Sequence, residues 1–68
     1  MINDVTKFGK ALRKIRLKNG LSQGDIAKKL GVHRSHISGL ERGKRNPSLL
    51  TIKKMAQTLG VQAKNLVE

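Results

Sequence analysis

The sequence predicts an all-α bundle of five short helices, and three observations carry that reading. Apolar residues recur at three- and four-residue intervals in four stretches: Val5, Phe8, Leu12 and Ile15; Ile26, Ala27 and Leu30; Ile37 and Leu40; then Ile52, Met55, Ala56 and Leu59. Each series lies along one side of a helix. Glycines at positions 20, 31, 43 and 60 stand where these stripes end, and a residue without a Cβ most easily takes the left-handed turn that closes a helix. The chain has 68 residues and no cysteine. A chain of that size must fold through short connections and efficient packing, which a helical bundle supplies.

Composition narrows the function. Fifteen Lys and Arg face four Asp and Glu, for a net charge of +11; such a charge repels itself and seeks polyanions. The length predicts one domain over residues 1–68. The opening MINDVTKFGK has no apolar run of signal-peptide type and no stretch approaches bilayer-spanning length, so a cytoplasmic protein without a membrane partner is expected. Without cysteine, paired carboxylates or a glycine-rich phosphate loop, no enzyme is expected. His33 and His36 have metal-ligand spacing, but with no cysteine and four scattered carboxylates neither a metal nor a cofactor is expected. Phe8 is the one aromatic. It is a core anchor, since base stacking on single strands needs several.

Taken in order, the first helix starts at Asn3 or Asp4 as N-cap and runs to about Lys18, with Lys7, Lys10, Lys14 and Lys18 on its outer side. Ser22 with Asp25 three positions on is an imperfect capping box opening the second helix. Gly24 in that first turn costs about 1 kcal/mol relative to Ala; it is either a tolerated blemish or a device that lets backbone N–H groups approach a phosphate. Gly31 ends the second helix, Val32 turns inward, and a third helix starts at about His33 or Arg34 and reaches Arg42. Ala27 is small where that helix must cross. Two short helices meeting at one glycine form a helix-turn-helix over residues 23–42. Ile37 and Leu40 bury one side of the third helix, leaving His33, Arg34, Ser35, Ser38 and Gly39 on the other. After the loop Arg42–Pro47, a fourth helix over Leu49–Leu59 packs Leu49 or Leu50 inward with Ile52, Met55, Ala56 and Leu59. A fifth covers Gln62–Val67.

Counting Gln23 as the first of twenty positions, Ala occupies the fifth, Gly the ninth, and apolar residues the fourth, eighth, tenth, fifteenth and eighteenth. With GLSQ before and ERGKRNPS after, residues 5–67 resemble the lambda-repressor-like, Xre-type family of five-helix DNA-binding domains. The segment HRSHISGLERGKRNPSL is similar to the controller proteins of restriction-modification systems. The resemblance implies a sequence-specific transcriptional regulator of double-stranded DNA, as an autoregulatory controller or a prophage Cro-type protein. It also implies a homodimer on a palindromic operator, with the helix at about 34–42 in the major groove. His33, Arg34, Ser35 and Ser38 would touch bases, with Arg34 able to bond guanine bidentately. Ser22, Gln23, His36, Arg42, Lys44 and Arg45 would touch phosphates; Gln23 would otherwise hold the side chain that reads a base. Gly39 departs from the family at a position that often carries a long contacting side chain. Arg16 would pair with Glu41. Val61, Leu66 and Val67 would form the dimer interface, or else close a monomer's core. No small-molecule ligand is expected. The alternative is an antitoxin-like or adaptor module whose main partner is another protein.

Overall fold

A computed structural model describes residues 4–67, Val67 by its backbone alone. Five helices form: α1 (Val5–Lys18), α2 (Gln23–Leu30), α3 (Arg34–Glu41), α4 (Leu49–Leu59) and α5 (Lys64–Val67), with no strand among the described residues. Local chemistry sets their starts. The Asp4 carboxylate accepts the Lys7 N–H at 2.9 Å, while Asn3 lies outside the described residues. Ser22 and Asp25 complete the capping box reciprocally, the Asp25 N–H donating to Ser22 Oγ at 2.9 Å and the Ser22 N–H to Asp25 Oδ2 at 2.8 Å. Aspartate therefore serves where Glu or Gln is usual. Ser48 caps α4 by accepting the Thr51 N–H at 3.1 Å.

The helix ends share one device. Gly31 and Gly60 take φ of 71° and 69°, and each is followed by a backbone N–H that reaches back five residues, Val32 to Ala27 and Val61 to Ala56, both at 3.0 Å. The same reversal ends α3, where the Lys44 N–H donates to the Gly39 carbonyl at 2.8 Å. These bonds satisfy carbonyls that the helix leaves unpaired and turn the chain sharply.

Phe8, Leu12, Ile26, Ala27, Ile37, Leu40, Ile52, Met55, Ala56, Leu59 and Leu66 form the buried core. The helix-turn-helix pair α2–α3 packs against α1, α4 lies on α2, and α5 on α1. Gly9 makes the α1–α3 crossing possible: a Cβ there would stand 2.6 Å from the Glu41 carbonyl oxygen. Backbone meets backbone at that point.

Three expectations change. Neither Leu49 nor Leu50 packs inward; they are 63% and 61% exposed, because the inward stripe of α4 begins at Ile52 and no helix among the described residues covers the first turn. Val32 does not turn fully inward and is 37% exposed. The fifth helix starts at Lys64 rather than Gln62.

Candidate nucleic-acid interface

The polar side of α3 is laid out by its own periodicity. At about 100° per residue, Arg34, Ser38, Ser35 and Gly39 fall within one arc, opposite buried Ile37 and Leu40. His33 is the N-cap residue, with φ −76° and ψ 149°, and makes no side-chain capping bond. His33, Arg34 and Ser35 are all exposed; Ser38, within the arc, and His36, beside it, are half-buried. Gly39, expected on the side opposite Ile37 and Leu40, lies on that side but is buried. The side chain of Arg45 covers it, with Cγ, Cδ and Nε all within 3.1–3.2 Å of where a Cβ on Gly39 would stand.

An ion pair holds the far end of α3. Arg16 donates through Nε to Glu41 Oε2, through one terminal nitrogen to Glu41 Oε1 at 3.0 Å, and through the other to the Leu21 carbonyl at 2.9 Å. The Gln23 amide donates to Glu41 Oε1 at 3.1 Å. The Glu41 side chain is 3% exposed, so its charge needs these three bonds to be tolerated. Glu41 in turn pushes the Arg16 pKa up, chiefly through the hydrogen bond, against the opposing effect of burial. The pair expected from the family resemblance is present, joining α1, the start of α2 and the end of α3. The Gln23 amide thus spends one of its two N–H groups on the buried carboxylate.

The remaining phosphate candidates surround this face. Arg42, Lys44 and Arg45 are exposed, as is Ser22, whose oxygen already accepts the Asp25 N–H. Gly24 has room for a side chain, its nearest neighbour being Ser22 Oγ at 3.6 Å from an added Cβ. Every described carboxylate is engaged within the fold, since Asp4 caps α1, Asp25 caps α2, and Glu41 holds Arg16. The Ser22 backbone N–H, then its hydroxyl, then Lys29 and Lys28 keep the Asp25 carboxyl below its usual range. Among the described residues the one ion pair is Arg16–Glu41, so the surface bases form none and their field stays directed outward.

The dimer candidates separate. Leu66 is 1% exposed and closes the core of its own chain, Val61 is half-buried against that core, and the side chain of Val67 lies outside the described residues. Reading the sequence missed Gly9, the Gln23–Glu41 bond and the seat of Arg45 on Gly39. Gly9 did leave a signal, since a glycine amid strong helix formers implies a close backbone neighbour. No helix among the described residues is long and apolar enough to cross a membrane.

A family model described as helix-turn-helix matches residues 12–64. Control protein C.BamHI of Bacillus amyloliquefaciens is 47% identical over 62 residues, 90% of this chain and 76% of that protein. The restriction-modification controller protein C.AhdI from Aeromonas hydrophila superposes with a TM-score of 0.88 at 44% identity, over 93% of this chain and 96% of its own. SinR, a master regulator for biofilm formation solved in complex with DNA, gives a TM-score of 0.84 at 31% identity, over 90% of this chain and 98% of its own. With this motif, these caps and these relatives, the chain belongs to the helix-turn-helix family, in its lambda-repressor-like, Xre-type branch.

Proposed function

We propose that the protein is a sequence-specific, double-stranded-DNA-binding transcriptional regulator of the controller type, which lays α3 in the major groove. The observation that carries this is the polar face of α3, presenting Arg34, Ser35 and Ser38 beside a surface whose bases form no ion pair among the described residues. Arg34 reads a base, Ser35 and Ser38 add hydrogen bonds, and His33 and His36 flank them. Arg42 and Lys44 grip phosphates and set the register. Relatives named as control proteins, and SinR solved with DNA, support the same reading.

The working unit is a homodimer on a two-fold operator, which would present two α3 helices about 34 Å apart to successive major grooves. With Leu66 already buried at home, the exposed pair Leu49–Leu50 is the apolar surface a second copy would cover. Sedimentation of the wild type against Leu50→Lys tests this: a dimer weakened in the variant is expected, and a wild-type monomer both free and on DNA would contradict it.

The function itself is tested by fluorescence anisotropy at about 0.15 M salt, comparing duplex from upstream of the protein's own gene with a scrambled duplex. The upstream duplex should bind at least about a thousandfold more tightly. Equal binding that weakens in parallel with salt would leave charge alone as the driver and remove the self-operator.

A further inference from the structure

We propose that Arg45 is a base-reading residue, delivered into the major groove across Gly39, rather than a phosphate contact. The inference rests on the reading of α3 as the recognition helix. Gly39 lies next to Ser35 on the arc of α3 opposite Ile37 and Leu40, yet it contributes no side chain and is buried beneath Arg45. A glycine inside a helix costs about 1 kcal/mol relative to Ala, so its presence calls for a reason. Three consecutive atoms of Arg45, Cγ, Cδ and Nε, lie 3.1–3.2 Å from where the missing Cβ would be. A Cβ at position 39 would make these atoms give way by a few tenths of an ångström.

The route of the loop makes this possible. Gly43 turns at φ 72°, and the Lys44 N–H bonds back to the Gly39 carbonyl at 2.8 Å. The chain therefore doubles back over the end of α3, and the next residue, Arg45, lays its stem along the helix. A phosphate contact needs charge and reach but no such seat, and the three atoms nearest a Cβ on Gly39 all belong to Arg45, none to the neighbouring bases Arg42 and Lys44. A guanidinium that bonds guanine O6 and N7 together must arrive in a fixed orientation. Packing the stem against Gly39 supplies that orientation before DNA arrives, so less rotamer freedom is lost on binding. The groove-facing position vacated on α3 is filled from the loop.

Selection of bound duplexes from a pool with a randomised core tests the assignment, using wild type, Arg45→Ala, Arg45→Lys and Gly39→Ala, each checked for folding by thermal melting. Gly39→Ala is informative because it keeps the Arg45 charge and meets only the flexible part of a side chain. Wild type should enrich a motif. All three variants should lose the preference at the same base pair of each half-site, by on the order of five- to a hundredfold, and keep the others. An unchanged motif in Arg45→Ala, with affinity reduced for all sequences alike and a shallower salt dependence, would return Arg45 to the phosphates and overturn the inference alone. A wild-type pool with no enriched motif would overturn it together with the function on which it rests.

Discussion

Replacing Glu41 by Ala is the sharpest test of how the fold holds α3. The substitution removes the acceptor for two of the three hydrogen bonds that Arg16 makes, and for the bond from the Gln23 amide. Arg16 is 8% exposed, so water cannot easily take over. An exposed ion pair is worth about 0–1 kcal/mol, but a buried charge stripped of its partner costs about 3–5 kcal/mol. A chain of this length holds about 3–5 kcal/mol in total, which makes the loss comparable to the whole. Expressed as a melting temperature, it corresponds to at least about 12 °C. Circular dichroism at 222 nm, followed on heating and in urea, reads the effect. Because the cost lies in the orphaned guanidinium, Arg16→Met combined with Glu41→Leu should recover most of it. A Glu41→Ala melt within about 4 °C of wild type, the size of an ordinary surface change, would refute the reasoning.

Gly9→Ala should destabilise by about 1–3 kcal/mol despite alanine's better helix propensity, since the new Cβ would press on the backbone of α3, which cannot yield as a side chain can; a stabilised variant would place the α1–α3 crossing farther apart. The capping box should show in the pH dependence. The folded chain keeps Asp25 below its usual pKa, so the unfolded chain takes up the proton first as the pH falls. The carboxylate's contribution is full above the ordinary aspartate value of about 3.9 and lost as the pH drops through the folded value beneath it. The melting temperature gap between wild type and Asp25→Asn should therefore narrow between about pH 5 and pH 2, and a constant gap would contradict the cap. Lys44→Ala should weaken binding to all duplexes alike and reduce the slope of log K against log salt by about one, whereas a loss limited to one sequence would make Lys44 a reader of bases.

What the sequence displayed follows from where the physics is local. Helix starts at Asp4, Ser22 and Ser48 and turns at Gly31 and Gly60 are decided by residues within one turn, so capping chemistry and glycine positions expose them directly. The inward stripes of α1 to α4 are likewise periodic, except at Leu49 and Leu50, where the pattern continues but no neighbouring helix does. Burial is a tertiary fact. The Arg16–Glu41 pair spans 25 residues and came into view through family resemblance, not through spacing. Gln23 and Arg45 show the same limit. Each reads in the sequence as a free polar group on a basic surface, and each is placed by a contact with α3, Gln23 where three helices meet and Arg45 where the loop doubles back over the helix end.

The central claim, that α3 enters the major groove, is tested most directly by dimethyl sulfate protection on the tightest duplex recovered by selection. The reagent methylates guanine N7 on the major-groove edge and adenine N3 on the minor-groove edge. Bound protein should protect N7 in two clusters about 10 base pairs apart, with adenine N3 left reactive beneath them, and Arg34→Ala should restore reactivity at one guanine in each cluster. Protection confined to adenine N3, or guanines as reactive with protein as without it, would contradict the account.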